Sequence, residues 1–261
     1  AILEDLSVLE LGLGTDLREK TFRFDDRQSG RLVAFPPDIT PQVARIAATR
    51  MRDMPLPFRL CYNGRVLRHT EQQLGKDRQI YQSGVELIGL SGPEADAELI
   101  AMAVMCLQAV GATGFTIDIG QVEFLRGVLD DLPLDAAQSR DVRTAIAAKD
   151  ISGLQQKLKG LPLTDRQHDE LLALPRLYGG RETLDQARQV ITNPASQKAL
   201  DNLERILEVL TVYGIEEHIT LDLGEMRGFD YHSGLIFQGF LSGFGQAVCA
   251  GGRYDGLTER Y

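Results

Sequence analysis

The sequence predicts an α+β fold, an antiparallel sheet flanked by helices and interrupted by an inserted helical subdomain. Two long strand-like segments, 58–68 and 79–88, are joined by a polar, glycine-containing loop, the signature of an antiparallel hairpin with a long tip. Strand signals vanish from Asp130 to about Tyr213, where Leu and Ala recur at helical spacing among Gln, Arg, Lys and Asp. Strand character returns at Ile219-Thr-Leu-Asp222. Strands on both sides of a helical block suggest one mixed sheet, and the hairpin argues against a doubly wound parallel fold.

The elements follow in order. The chain begins in an apolar helical pattern (Ile2, Leu3, Leu6, Leu9) with no cap, and both ends read as cut from something longer. Leu32-Val-Ala-Phe35 reads as a short buried strand that Pro36-Pro37 ends. Thr40-Pro41 opens a helix, with Thr40 at the N-cap, Pro41 at the first helical position and Val43, Ile46 and Ala47 on the apolar face. After the hairpin, Pro93-Glu94 starts an apolar helix through Val110, Gly114 to Ile119 is a strand, and Gln121 to Val128 is a helix. Five helical stretches follow, at 136–148, 154–158, 168–174, 184–190 and 199–212. Leu235-Ile-Phe-Gln238 and Gln246-Ala-Val-Cys249 read as strands. The expected organisation is a core from 1–129 with the hairpin at 58–90, a helical insertion at 130–213, and the rest of the core at 214–261.

Bulk properties narrow the function. With 43% hydrophobic and 25% charged residues among 261, the chain can bury a sizeable core. A net charge of -9 argues against a dedicated nucleic-acid binder, although Arg59, Arg65, Arg68, Lys76 and Arg78 leave room for a local basic groove. The three cysteines, Cys61, Cys106 and Cys249, lack metal-ligand spacing and read as buried thiols in a reducing cytoplasm. No apolar run reaches membrane-spanning length and no signal peptide is visible. The four histidines lack helix-face pairing for zinc, and no GxGxxG, GxxxxGK[ST] or GxSxG run is present. Asp118 and Glu123 form a possible acid/base pair, but a place at a helix terminus explains Glu123 more simply.

The densest chemistry lies in two places. Arg227-Gly-Phe-Asp-Tyr-His232 and Ala250-Gly-Gly-Arg-Tyr-Asp-Gly-Leu257 combine Arg, Tyr and small residues near strand ends. Those parts suit a zwitterionic small molecule, because Arg grips a carboxylate in two points and Gly admits close approach. On the hairpin, Gln82, Gly84 and Glu86 alternate onto one face, with Gly84 leaving that face open; Asp38 and Thr40 alternate likewise before the first helix. The blander readings are hairpin turns with solvated charges and a salt-bridged sheet surface. Gly64 and Gly84 inside strands weigh against them, since glycine there often marks close approach by a ligand or backbone.

The segment from Tyr62-Asn-Gly-Arg-Val-Leu-Arg68 to Gln82-Ser-Gly-Val-Glu86 resembles the motif 2 hairpin of histidyl-tRNA synthetase, a class II aminoacyl-tRNA synthetase. Arg227-Gly-Phe-Asp-Tyr231 and Ala250-Gly-Gly-Arg-Tyr-Asp255 resemble the two peptides by which that family recognises histidine. The likeness covers about 31–90 and 219–261, and it implies a class II synthetase-like sheet. It also implies that Asp38, Thr40 and Gln82 meet the histidine amino group, Glu86 the imidazole and Arg227 the carboxylate, with Tyr231, His232 and Tyr254 in the same site. Arg68 would be the arginine that meets the α-phosphate of ATP.

Several positions depart from the synthetase pattern. The family's FRxE reads Leu67-Arg68-His69-Thr70, the loop arginine is Lys76, the second aromatic is His232, and the acidic residue before the helix is Asp38 in place of Glu. Arg68, Thr70 and Lys76 thus read as a vestigial ATP site beside a kept histidine pocket. That combination is similar to the synthetase paralogues that serve as regulatory subunits of short-form ATP phosphoribosyltransferase, the first enzyme of histidine biosynthesis. The resemblance implies a non-catalytic cytoplasmic protein with no cofactor or metal. Its partners would be the catalytic subunit in a hetero-octamer, a second copy in a dimer, and histidine as effector, with no membrane, DNA or tRNA. The alternatives are a catalytic-core fragment of histidyl-tRNA synthetase, which activates histidine with ATP and charges tRNA, and an amino-acid-binding module of some other complex. For the helical insertion, structural filler and partner docking both remain open.

Overall fold

The computed structural model describes residues 2–69 and 78–261. It falls into two compact units, one drawn from Ala1–Ser91 with Asp255–Tyr261, the other from Gly92–Tyr254.

The first unit holds a small antiparallel sheet of β1 (Glu4–Asp5), β2 (Arg23–Asp25) and β3 (Leu32–Ala34), in the order β1-β3-β2. The helix expected at the N-terminus is a correction. Residues 4–5 are strand and only one turn, α1 (Leu6–Leu9), is helical; Asp5 caps it by accepting from the Ser7 amide at 3.1 Å. Leu6 and Leu9 are buried with Leu13 and Ala34, whereas Ile2 is 80% exposed, so one turn satisfies the apolar spacing. After α2 (Thr15–Glu19) comes α3 (Thr40–Arg50). Its N-cap is Ile39, not Thr40, and its buried face is Pro41, Gln42, Val43, Ala44 and Ala47, with Ile46 left 38% exposed. Thr40 is the first helical residue, so its hydroxyl is available for a longer-range bond.

The hairpin forms as expected. β4 (Phe58–Leu67) and β5 (Gln79–Ile88) pair antiparallel from Phe58↔Ile88 to Leu67↔Gln79, with Tyr62 opposite Gly84 and Gly64 opposite Gln82. It is a two-stranded sheet of its own, which corrects the expectation of a single mixed sheet. Alternation along a strand records which side chains share a face, not which neighbour its edge takes.

The second unit contains the main sheet and core. α4 (Pro93–Ala109), β6 (Phe115–Gln121) and α5 (Val122–Leu129) lead into α6 (Ala136–Ala147), α7 (Ile151–Leu158) and α8 (Asp165–Ala173). Next are β7 (Tyr178–Gly179), α9 (Glu182–Val190), α10 (Pro194–Tyr213), β8 (Ile219–Asp222), β9 (Leu235–Leu241) and β10 (Cys249–Gly252). The five-stranded sheet has the order β10-β9-β6-β8-β7; β6 and β8 run parallel and the other pairs antiparallel. One hydrophobic core joins Ile100 and Val104 of α4, Phe124 and Leu125 of α5, Leu203 and Ile206 of α10, and Ile117 and Ile119 of β6. Asn193 caps α10 by accepting from the Ser196 amide at 2.8 Å, and the buried Ser196 hydroxyl donates to the Phe124 carbonyl at 2.7 Å.

Two strands differ from their sequence reading. β7 lies inside the stretch read as free of strands; two residues are too few to show a period. β10 starts at Cys249 instead of ending there, so Gly251 and Gly252 are strand residues. A Cβ on Gly251 would stand 2.5 Å from Phe237 Cζ, so the large ring on β9 requires glycine opposite it. The thiols also differ, because Cys61 and Cys106 are exposed and Cys249 is half-buried, all three free. Among the described residues no helix is long and apolar enough to cross a membrane.

Candidate functional site

In the first unit, Asp38, Thr40, Gln82 and Glu86 are brought into one hydrogen-bonded network. Gln82 Nε2 donates to Asp38 Oδ1 at 2.8 Å, and its Oε1 accepts from the Ile39 amide at 3.2 Å. Asp38 Oδ1 also accepts from the Thr40 amide at 3.1 Å. Thr40 Oγ1 donates to Glu86 Oε1 at 2.7 Å. The start of α3 is thereby tied to β5, with the Glu86 carboxylate buried.

The residue that links these bonds is Tyr62, which sequence reasoning missed. Its hydroxyl accepts from Gln82 Nε2 at 3.2 Å and lies 3.4 Å from Thr40 Oγ1. The phenol pKa is pushed up to about 12, first by burial, with the nearby Asp38 and Glu86 charges acting in the same direction. Tyr62 thus remains a neutral hydroxyl. The open face expected over Gly84 is a correction, since a Cβ there would stand 2.9 Å from Tyr62 Cε1. The aromatic ring covers the glycine opposite it. The signal was available in the Tyr62/Gly84 spacing, but using it requires the hairpin register.

Arg68 Nε donates to the Pro37 carbonyl at 2.7 Å, beside Asp38. Thr70 and Lys76 lie outside the described residues.

In the second unit, Arg227 is exposed, but one end of it is held. Its Nη1 donates to Gln238 Oε1 at 2.5 Å and its amide donates to Glu225 Oε1 at 2.7 Å. Gln238 is a buried polar residue in the otherwise apolar β9. Sequence reasoning missed both partners; a Gln within Leu235-Ile-Phe-Gln238 was the cue. Glu225 and Gln238 line a cleft of about 10 Å³ with Asp118 and Asp222, too small for an amino acid. Burial and the Asp222 charge raise the Asp118 carboxyl above its ordinary range, while Lys149, which salt-bridges Asp222 at 2.7 Å, acts the other way. Glu123 is exposed, in a first turn of α5 whose other residues are buried.

Tyr231, His232 and Tyr254 are packed together as three rings. Centroids are 5.3 Å apart for Tyr231 and His232, 5.8 Å for His232 and Tyr254, and 5.4 Å for Tyr231 and Tyr254. Two glycines cradle the imidazole: a Cβ on Gly228, whose φ is +68°, would lie 2.9 Å from Nε2, and one on Gly252 2.7 Å from Nδ1. Burial lowers the His232 pKa, aided by the charge of Arg126. His232 Nδ1 lies 3.3 Å from the Arg253 carbonyl, which can only accept, so the neutral ring donates from Nδ1 and keeps Nε2 as an acceptor. Arg253 itself is structural, since its Nη2 and Nε reach Asp96 Oδ1 at 2.9 and 3.1 Å and anchor the 250–254 run to the first turn of α4. Among the described residues, no group of three or more His, Cys, Asp or Glu is placed to hold a metal ion.

A family model described as Histidyl-tRNA synthetase matches residues 1–261. The chain belongs to the histidyl-tRNA synthetase family. Its fold is accordingly the α+β, class II synthetase-like one. Within the wider set of relatives, an ATP phosphoribosyltransferase regulatory subunit of Syntrophotalea carbinolica is 68% identical over 99% of this chain and 60% of its own length. A Geobacter sulfurreducens protein of the same name is 56% identical over 100% of this chain and 59% of its own. A solved structure from Bacillus halodurans C, described as an ATP phosphoribosyltransferase regulatory subunit/histidyl-tRNA synthetase, matches with a TM-score of 0.88 at 30% identity, covering 100% of this chain and 67% of that one. The chain thus spans about 60% of the length of these curated relatives.

Proposed function

We propose that this chain is the class II core of a non-catalytic regulatory subunit of ATP phosphoribosyltransferase, with free histidine as its effector. The observation that carries the proposal is 68% identity, over 99% of the chain, to a protein of that name. The side-chain chemistry supports histidine as the effector. Asp38 and Glu86 supply two carboxylates, with Thr40, Gln82 and Tyr62 beside them, and such a set suits an ammonium or an imidazole N–H. Among the described residues the Arg227 guanidinium bonds a neutral amide, and a ligand carboxylate in that place makes a stronger, charge-assisted bond. Neutral His232 adds an acceptor beside two tyrosines.

The activation chemistry of a synthetase is not expected. Thr70 and Lys76 replace the residues of the synthetase pattern, while Arg68 keeps its place and donates Nε to the Pro37 carbonyl. The proposed role requires histidine to favour one of two states of the assembly with the catalytic subunit, and the coupling equals the difference in affinity between those states. Dimerisation and a hetero-octamer with the catalytic subunit belong to the same proposal.

Reconstitution of the full-length protein with a short-form catalytic subunit tests it. Activation of the catalytic subunit, and a response to histidine that depends on the added protein, are the expected results; absence of both sinks the proposal. The family membership favours a second reading, a synthetase catalytic core, which requires histidine-dependent exchange of pyrophosphate with ATP.

A further inference from the structure

We infer that Arg126 and Arg143 are positioning residues that hold residues 229–232 in binding shape and tie that segment to α5 and α6. The inference deepens the histidine reading above and rests on it for the choice of ligand. Arg126 projects from α5, and its Nη2 donates to two carbonyls of the segment, Phe229 at 2.8 Å and His232 at 2.9 Å. Arg143 projects from α6, and its Nη1 pairs with Asp230 Oδ1 at 3.0 Å. Both guanidinium groups also lie against the Phe229 ring, 5.4 Å from its centroid for Arg126 and 5.1 Å for Arg143. Three of the four residues from 229 to 232 are therefore fixed by side chains from two helices.

These contacts differ in weight. Asp230 is 77% exposed in its side chain, so its pair with Arg143 is weak alone. The carbonyl contacts of Arg126 are partly buried and charge-assisted, which makes them the stronger anchor. Within the segment, the Tyr231 and His232 amides both donate to the Gly228 carbonyl, at 2.9 and 2.8 Å, a turn that depends on the positive φ of Gly228. Phe229 packs against the hydrophobic core while the acidic tip at Asp230 is exposed, so the two arginines fix the polar part of the turn that apolar packing does not reach. Because α6 opens the helical stretch at 136–213, that stretch reaches the candidate site through Arg143. Coupling of this kind is reciprocal, so ligand at the site must also steady α6.

The test uses the full-length protein, with histidine titrated by calorimetry and amide exchange followed with and without histidine. Arg126→Met is expected to speed exchange at 229–232 without ligand and to weaken histidine binding by about tenfold or more, the worth of one charge-assisted hydrogen bond. Arg143→Met is expected to weaken binding less and to abolish histidine-dependent protection of α6, and Arg143→Lys to restore that protection. Amides of α10 should keep their protection in every variant, which separates loosening of the segment from general unfolding. If Arg126→Met does not fold, Arg143→Met, whose wild-type side chain is 27% exposed, carries the test alone. Unchanged exchange at 229–232 together with unchanged affinity in both variants overturns the inference. If the wild-type protein binds no histidine at millimolar concentration, the histidine reading fails, and exchange at 229–232 without ligand still decides whether the two arginines hold the segment.

Discussion

Around Gln82 the polar groups hold one another; around Arg227 they are held from outside. The first set stands on a ten-residue strand and at the head of α3, where Gln82 and Thr40 donate and the Asp38 and Glu86 carboxylates accept. The second set stands on turns, and its order comes from groups elsewhere: Gln238 for Arg227, Arg126 and Arg143 for residues 229–232, and Asp96 for Arg253. A closed network on strands is preorganised by geometry, and a ligand must displace bonds already made. A turn borrowed into shape can be loosened by changes far from the ligand. The two regions therefore differ in where a mutation does harm.

The largest effect is expected where outside support is most buried. Arg253→Ala removes the buried ion pair with Asp96, whose side chain is 9% exposed, and should lower unfolding free energy by about 3–5 kcal/mol in a denaturant titration. A loss under about 1 kcal/mol would mean that the 250–254 run does not need its anchor. Next, Arg227→Ala should weaken histidine binding by about 2–4 kcal/mol in calorimetry without changing unfolding midpoints. Equal affinity in that variant would place histidine elsewhere.

Within the hairpin the harm should be local. Gly84→Ala drives a methyl into the Tyr62 ring, and overpacking of that kind is expected to destabilise by about 1–3 kcal/mol. Tyr62→Phe with Gly84→Ala should relieve the clash only in part, because the hydroxyl is the nearest atom but ring carbons Cζ and Cε1 stand close behind it; full recovery in the double variant would refute the part assigned to the ring. The smallest effect concerns pH. The folded pKa of His232 lies below its ordinary value, through burial first and then the Arg126 charge. The unfolded chain therefore takes up the proton first, and stability is lost as pH falls through about 6.5 toward the folded pKa. His232→Asn should flatten that part of the thermal-stability profile between pH 7.5 and 5.5. The charged and ring groups facing His232 are Arg126 from α5 and Tyr231 and Tyr254, with the Arg253 carbonyl accepting from it.

Much of this is legible in the sequence alone. The hairpin bounds, α3, α4, β6 and the helical character of 136–213 follow from period and from Pro and Thr punctuation, which are local properties. Alternation by two pairs Asp38 with Thr40 and Gln82 with Glu86, and the structure joins the four in one hydrogen-bonded network. What escaped were side chains whose role depends on the partner strand or helix. Tyr62 is one, since its ring acts across the register; Gln238, Arg126 and Arg143 are others, acting 11 residues, 103 or more residues and 87 residues away along the chain. The N-terminal helix and the position of β10 were misread for a related reason. Apolar spacing at Ile2 to Leu9 fits a helix until burial is known, and glycines at 251 and 252 look unlike strand until Phe237 and His232 lie against them.

The sequence by itself determined the family, the α+β character and the chemical types offered to a ligand, because these depend on residue identity and short-range spacing. Only the tertiary structure decided that Thr40 bonds Glu86 instead of capping its helix, that Tyr62 closes the gap over Gly84, and that guanidinium groups from α5 and α6 hold residues 229–232. Each of those is a contact between residues far apart in the chain. Such contacts are selected by which partner completes a buried hydrogen bond or fills a space at the least desolvation, and local pattern carries no record of that choice.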